Sequence, residues 1–485
     1  MAAHLKARLV KTLLVASVLL ARPAMAEMVL SPDELLKAIA ENGSASIDAA
    51  AADMGIARAR VDEAGAGLMP KLTLSATGQL YRSAANGKYP DDNAEAYGIL
   101  EVVQPLYDFG QSNSVRDAAG KVFEASEQKA ALARHLVLLE GLALYYDLHA
   151  SELERRSLYE AHTSAYLKWD RAKENLALGR ASQIEVAEAL AFVEQTRLRF
   201  YRERSRNAGY RLRLEELSGL KFAEELISPP KPPKTKPVEI DRKAFIDAVL
   251  ANNEDVQALT QQAEAAGLRR DAIGAWPSLD AFANTGYSTR DLRGRNDYAV
   301  GARLSWPLFD GGATAAKKTR MAEEQSRALA LLDAKKKDVQ RKALALLRDR
   351  EDAYQRVLAA LAQQDFTYKN LMRRQQLYAQ ERVADLGRAM IDHTTSEAEL
   401  VRATGAYALV LANIAVLLGE EPSLALKANF LADFVSAEDG GNFVPKSGTG
   451  FGQSDQGEFK RQDTTPTAPA PHSSPVPSVE QAPLQ

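Results

Sequence analysis

The sequence contains no cysteine among its 485 residues. That excludes a disulfide framework, cysteine-ligated zinc or iron-sulfur centres, a thiol nucleophile and a lipid carried on cysteine. Histidine is scarce as well, and three of the six, His135, His149 and His162, stand 14 and 13 residues apart on one helical stretch, too far to share a metal ion. No HExxH or GxSxG motif occurs, and Asn86-Gly87-Lys88 lacks the upstream glycine and downstream hydroxyl of a phosphate loop. Neither sign of charge dominates: 61 Lys+Arg stand against 64 Asp+Glu. The cation excess that carries nucleic-acid binding is therefore missing. The scattered Asp and Glu pairs read as surface charge, not as acid-base dyads. These absences point away from an enzyme, a cofactor, a resident metal and a nucleic-acid partner.

Long apolar runs are also lacking. Lys6, Arg8 and Lys11 precede a short apolar stretch from Thr12 to Ala21, and Ala24-Met25-Ala26 offers small residues for cleavage. This is the pattern of a secretory signal peptide over residues 1–26, with Glu27 as the expected first mature residue. Its removal takes away Lys6, Arg8, Lys11 and Arg22 but no acid, so 57 basic residues face 64 acidic ones and the net charge becomes −7. After it, no window reads as an apolar helix of the roughly 20 residues needed to span a bilayer. The exported chain is then either soluble, or crosses a membrane as a closed barrel of strands.

What is present is a duplication. Leu68-Met69-Pro70-Lys71-Leu72 is answered by Ala275-Trp276-Pro277-Ser278-Leu279 at an offset of 207. Gln104-Pro105-Leu106-Tyr107-Asp108-Phe109-Gly110 is answered by Trp306-Pro307-Leu308-Phe309-Asp310-Gly311-Gly312 at an offset of 202. Gly179-Arg180-Ala181 returns as Gly387-Arg388-Ala389 at 208, and Ser218-Gly219 as Leu418-Gly419 at 200. The repeats are expected at 27–227 and 241–420, joined by a proline-rich connector at 228–240 that favours an extended form. A C-terminal segment at 421–435 follows, and the Gly/Ser/Thr/Pro-rich tail at 436–485 has the composition of a disordered chain.

Each repeat carries two alternating runs, expected as strands at about 71–82, 96–105, 278–290 and 297–307. Leu72, Leu74, Ala76, Gly78 and Leu80 alternate with polar neighbours, as do Tyr298, Val300, Ala302, Leu304 and Trp306 with Ala299, Gly301, Arg303 and Ser305. Such period-2 runs of about ten residues are the signature of transmembrane barrel strands, and equally of half-buried hairpins. Between them lie stretches without proline and with little glycine, about 112–178 and 313–386, long enough for helices of some 100 Å at 1.5 Å per residue. Leu132, Leu136, Leu139, Ala143, Tyr146, Ala150 and Leu153 follow a coiled-coil seam spacing. Leu138, Leu142, Tyr145 and Leu148 form a second stripe beside it. A helix with two seams has neighbours on two sides, as in the wall of a helical cylinder, although a rod-like coiled coil without a channel also fits.

The junction motifs have local reasons. Pro105 and Pro307 lack the amide that a ladder requires, while Asp108 before Gly110 and Asp310 before Gly312 supply a cap and the backbone freedom to start a long helix. Gly179 and Gly387 are expected to turn the long helices into hairpins.

On these residues and on the duplication, the sequence resembles the TolC-like outer membrane efflux protein family from about residue 30 to 420. The resemblance implies a mainly helical fold with a transmembrane β-barrel. As a homotrimer, each chain would give four strands to one 12-stranded barrel in outer-membrane lipid, continued by a long periplasmic helical barrel. It further implies a passive exit duct in a Gram-negative outer membrane, with a periplasmic adaptor protein and an inner-membrane ABC or proton-driven transporter as partners. Type I protein secretion and multidrug efflux are both served by such ducts. The missing cysteine excludes the lipid-anchored efflux subgroup and tilts toward the secretion-capable one. The helical turns at 179–188 and 387–397 would form the periplasmic entrance. Glu185, with Asp392 or His393, would lie near the constriction, Arg180 and Arg388 would be their ion-pair partners, and Glu397 would stand close by. An acidic ring there would favour cations, but His393 departs from the acid common in the family. A solvated turn charge explains each of these residues equally well. Outside the family, a soluble periplasmic or surface coiled-coil scaffold is the competing reading.

Overall fold

The computed structural model describes residues 31–83, 91–221, 231–233, 236–288, 298–380, 385–427, 430–431 and 434. The expected signal peptide, the loops between paired strands, much of the connector and the tail lie outside these residues. In chain order the elements are α1 (Pro32–Asn42), α2 (Ala45–Ala66), β1 (Lys71–Ser83), β2 (Asp91–Tyr107), α3 (Gln111–Ala177) and α4 (Gln183–Ser218). Then come α5 (Arg242–Asn252), α6 (Glu254–Asp271), β3 (Ser278–Ser288), β4 (Tyr298–Ser305), α7 (Ala313–Ala379) and α8 (Leu386–Leu417). A 3-10 turn at Pro422–Leu426 closes the series.

The two longest helices, α3 and α7, have 67 residues each, about 100 Å at 1.5 Å per residue. A helix of that length cannot fold back on itself, so its neighbours fix the architecture. Near the sheet, α2 packs on α3, α3 on α6, and α6 on α7. Further from it, α4 packs on α3, α3 on α8, and α8 on α7. Because α2 leads into β1, α3 leaves β2, α6 leads into β3 and α7 leaves β4, the upper helical layer repeats the strand order β1-β2-β3-β4. The result is one wall, four elements wide, with α2 and α4 along one margin and α7 along the other.

Two apolar cores hold the wall where the short helices cross it. In the first repeat Leu35, Leu36 and Ile39 of α1 meet Leu138, Leu142 and Tyr145 of α3 and Leu214 of α4. In the second, Phe245 and Val249 of α5 meet Val339 and Ala343 of α7 and Ile414 of α8. Phe430 packs on both, so the C-terminal segment locks the two repeats together. Each short helix starts on a side-chain cap. Ser31 forms a reciprocal capping box with Glu34, and Asp241 accepts from the amides of Lys243 and Ala244. Capping of this kind is worth about 1 kcal/mol per helix.

Both stripes on α3 are buried within the chain over part of their length, Leu138, Leu142, Tyr145 and Leu148 of one and Tyr146 and Ala150 of the other, while Leu136 is half exposed. One expectation is corrected here: α8 is long and apolar enough to cross a membrane, contrary to the absence of such a window in the sequence reading. Half of that window is buried, because α8 lies between α3 and α7 with Ala398, Ala408, Ala412 and Ala415 turned inward. Its hydrophobicity is that of a core helix.

Close approach of α8 to α3 needs a glycine at one point. A Cβ on Gly405 would lie 2.7 Å from both Cβ and Cγ of Tyr146. Tyr146 is itself buried and has nowhere to move. Gly405→Val is therefore expected to cost about 1–3 kcal/mol through overpacking, read as a lowered thermal unfolding midpoint by circular dichroism; an unchanged midpoint would contradict this packing.

Candidate functional site

The four strands form an antiparallel meander in the order β1-β2-β3-β4. Its register sorts the side chains. Leu72 pairs with Val102, Val102 with Ala283 and Ala283 with Val300. Leu74, Leu100, Thr285 and Tyr298 make the next row, and Gln104, Ala281 and Ala302 another. Since side chains alternate across a strand, these rows share one face. The opposite face carries Thr73, Glu101 and Asn284 in one row and Asp280 opposite Arg303 in another. The Arg303 guanidinium also lies over the Phe282 ring, 5.0 Å from its centroid.

The apolar face is bare: Leu74 is 75% exposed, Leu80 87% and Val300 79%. Aromatic residues bound it at both ends. Tyr287 and Tyr298 stand exposed at the end away from the helices. Tyr107, Phe109, Trp276, Trp306 and Phe309 gather at the helix end, with Phe109 stacked on Trp276 at 5.7 Å. Trp306 donates from its indole to the carbonyl of Ala275 at 3.1 Å. Tyr298 and Trp306 are eight residues apart, about 26 Å along a strand at 3.3 Å per residue. The apolar band of membrane barrels, flanked by aromatic girdles, is about 25 Å tall. The outer edges of β1 and β4 have no partner strand among the described residues.

The two junctions are built alike. After β2, Asp108 Oδ1 accepts from the Gly110 amide at 3.1 Å and Oδ2 from the Ser112 amide at 2.7 Å. After β4, Asp310 accepts from the Gly312 amide at 3.0 Å and the Thr314 amide at 2.7 Å. Both pairs of residues that follow are left-handed: Phe109 and Gly110 in one, Gly311 and Gly312 in the other. The aspartate thus ties down the first free amides of a helix whose cap residue, glycine, has no side chain to do so. Partial burial pushes the Asp108 carboxyl up, but the hydrogen bonds from Ser112 and Gly110 outweigh it and hold it below its ordinary value. The hydrogen bonds from Thr314, ahead of burial, do the same for Asp310.

At the far end of the helices the halves differ. Gly179 is left-handed at φ 70°. Around it the Arg180 amide donates to Asn175 O at 2.7 Å and the Gly179 amide to Leu176 O at 3.0 Å, the Schellman pattern of a helix end. Ser182 and Glu185 then form a capping box that starts α4. Gly387 does not play the part of Gly179. It lies in the first turn of α8, whose cap is Asp385 accepting from the Arg388 amide at 3.1 Å. An aspartate two residues upstream captures the amide and starts the helix before the glycine is reached.

The charged candidates separate accordingly. Arg388 pairs with Asp392 at 3.0 Å, one turn on along the exposed side of α8. Arg180 has no ion-pair partner among the described residues, and Glu185 is engaged in its capping box, so the expected pairing of the two does not form. His393 is tucked between helices with its side chain 16% exposed, 3.5 Å from Glu397 and beside Thr367 and Tyr368 of α7. Of the two alternatives, Asp392 is the one open to solvent.

Sequence reading missed the polar rungs between the long helices. Ser157 Oγ lies 2.8 Å from Thr395 Oγ1, joining α3 to α8. Thr367 Oγ1 lies 2.6 Å from Ser396 Oγ, joining α7 to α8. Ser151 donates to the buried Glu203 carboxylate at 2.6 Å, joining α3 to α4, and Arg402 of α8 pairs with Glu154 of α3. Small hydroxyl residues falling on helix faces otherwise filled by Ala and Leu were the available signal. Among the described residues no cluster of His, Asp and Glu could hold a metal ion.

A mainly helical wall continuing a small antiparallel sheet, banded by aromatic residues, is the fold of outer-membrane channel proteins, and comparison with known proteins agrees. Residues 36–220 match the sequence model of the outer membrane efflux protein family. The chain is similar to the Campylobacter jejuni CmeC outer membrane channel, with TM-score 0.65 and 16% identity over 82% of this chain and 91% of that one. It is also similar to the outer membrane protein VceC of Vibrio cholerae (TM-score 0.59, 19% identity, 80% and 96% covered). A third similar structure is the open state of the Neisseria gonorrhoeae MtrE outer membrane channel (TM-score 0.59, 18% identity, 84% and 94% covered). No curated protein matches the chain. The resemblance to TolC-like outer membrane efflux proteins read from the repeat and the junction motifs therefore holds.

Because the Asp108 carboxyl is held below its unfolded value of about 4, its stabilisation is present above that pH and disappears as pH falls through the lower, folded value. Asp108→Asn should lower the melting midpoint at pH 7, with a loss of about 1 kcal/mol. The gap to the unsubstituted protein should narrow below pH 4. A gap that stays constant from pH 7 to pH 3 would show that the charge plays no part.

Proposed function

We propose that this protein is the outer-membrane exit duct of a tripartite export system. It would work as a homotrimer and a passive channel, with energy supplied by an inner-membrane ABC or proton-driven transporter through a periplasmic adaptor. The observation that carries this reading is the sheet. Its register puts an apolar band on one face and polar groups on the other, and among the described residues it ends in two unpaired edges. In lipid an open strand edge leaves amides and carbonyls without partners, at several kcal/mol each. Four strands cannot close a barrel by themselves, since known single-chain barrels begin at eight. Three copies supply 12, the number the resemblance implies.

The helical wall supports the same assembly. Ile184, Leu198 and Leu212 are exposed on α4 at one margin, and Leu329, Leu331, Phe366 and Tyr378 on α7 at the other. Exposed apolar side chains on both margins suit closure against further copies. Arg388 and Asp392 at the lower end are the charges best placed to narrow the entrance. The cargo class, protein or small molecule, follows from the partner transporter. A soluble scaffold would have no use for an apolar sheet face with aromatic borders.

Cell fractionation tests the reading: a heat-modifiable oligomer in the outer membrane supports it, and release of monomer into soluble periplasmic extract overturns it. Leu74→Arg or Val300→Arg should cost about 2–4 kcal/mol if the residue lies near the bilayer midplane, read as loss of the membrane-inserted oligomer, while the opposite-face Thr73→Arg should insert. Arg388→Ala should raise single-channel conductance in planar bilayers; unchanged conductance would remove this pair from the gate.

A further inference from the structure

Between α3, α4 and α8, in the lower half of the wall, lies a crevice of about 290 Å³, close to the small end of ligand sites, about 300–1,000 Å³. Its charge is lopsided. Lys168, Arg199, Arg388 and Arg402 line it, against Glu154 as the one carboxylate. Two of the cations are already satisfied, Arg402 by Glu154 and Arg388 by Asp392. Lys168 on α3 and Arg199 on α4 have no carboxylate partner among the described residues. Two unmatched cations at one small opening repel each other and favour an anion.

The rest of the lining says which kind of anion. Leu158, Ile391 and the half-exposed ring of Phe192 give the crevice apolar walls. Three lining hydroxyls are occupied: Ser157 and Thr395 bond each other, and Thr196 bonds back to the Val193 carbonyl at 2.8 Å, which leaves the Ser164 hydroxyl as the one without a hydrogen bond among the described residues. Inorganic phosphate or sulfate, with donors demanded on every side, would find the cations and a single free hydroxyl on one side and carbon on the other. A flat apolar body with a single carboxylate matches both halves, its charge paired with guanidinium in the bidentate manner and its ring against Phe192.

We propose that the crevice is a binding site for a small aromatic carboxylate, held by Arg199 and Lys168 with its ring on Phe192. The ligand would bridge α3 and α4, and because Ile391 and Arg388 form the opposite wall, it would also fasten α8 to that pair.

Titration calorimetry of the full-length protein in non-ionic detergent tests the site, using benzoate as the probe. Benzyl alcohol serves as the uncharged analogue and inorganic phosphate as the anion without a ring. The expected result is saturable benzoate binding at one site per chain, about tenfold or more tighter than either control. Arg199→Gln and Lys168→Gln are surface changes that leave the fold intact, and each should weaken benzoate about tenfold; Phe192→Leu should weaken benzoate and leave phosphate unaffected. Absence of saturable binding, phosphate binding as tight as benzoate, or benzoate affinity untouched by Arg199→Gln would each overturn the proposal. The measurement needs neither trimer closure nor conductance, so its failure is separate from failure of the channel reading.

Discussion

Every backbone amide and carbonyl in the sheet needs a partner, and that requirement orders the rest of the molecule. Among the described residues it is met for β2 and β3, each flanked on both sides, and left open on the outer edges of β1 and β4. An open edge is costly in water and far more so in hydrocarbon. In the proposed assembly the strand order would continue into another copy, and the helices share that order because each long helix starts where a strand stops. The exposed apolar side chains on α4 and α7 would be the helical counterpart of the two strand edges.

Turning a strand into a helix of 67 residues within a few positions is the next constraint. A strand residue and a helix residue differ by a large ψ change, and the amides of the first helical turn have no carbonyl behind them. The two junctions share one device: two left-handed residues reverse the chain, and an aspartate reaches forward to two amides. They differ at the proline, for β4 stops at Ser305, ahead of Pro307, whereas pairing of β2 passes Pro105 with a register shift and ends at Tyr107, against the expectation that it stops at the proline. Phe109 takes a left-handed conformation that a bulky side chain disfavours, at the position where the second repeat uses Gly311. Its ring is stacked on Trp276 of the other repeat, and that contact offsets the backbone cost. The pair also joins the ends of neighbouring strands at the level of the aromatic border.

Much of this was legible in the sequence because it is local. Alternation at Leu72–Leu80 and Tyr298–Trp306, the Asp-x-Gly junctions and the glycine at 179 each depend on a few neighbouring residues. The duplication located them twice. What failed depended on competition or on distance. Gly387 sits at the offset of Gly179, but Asp385 caps α8 first, and a helix begins where its amides are first satisfied, whatever glycine follows. His393 has the spacing of an entrance residue, yet spacing does not reveal which side of α8 faces α7. The two stripes on α3 were both visible. Which of their residues the chain buries is decided by α1, α4 and α8, elements up to about 270 residues away in sequence, and no window along α3 contains that information.

The bonding along the wall is graded, and the gradient bears on how such a duct could open. Around α1 and α5 the helices meet through Leu, Ile, Phe and Tyr side chains that are almost fully buried, each worth about 1.5–3 kcal/mol of transfer free energy. Below that level α8 is joined to its neighbours by Ser157 with Thr395, Thr367 with Ser396, and the partly exposed pair of Arg402 with Glu154. Hydroxyl pairs contribute about 0.5–1.5 kcal/mol each and a solvent-reached ion pair about 0–1 kcal/mol. Water can replace these partners as the helices part, whereas nothing replaces the apolar core. In the proposed duct, a motion that widens the lower end would therefore leave the α1 and α5 cores in place, together with the close approach of α8 to α3 at Gly405. An anion bridging α3, α4 and α8 would add its binding energy on the side of the gradient that has least of its own.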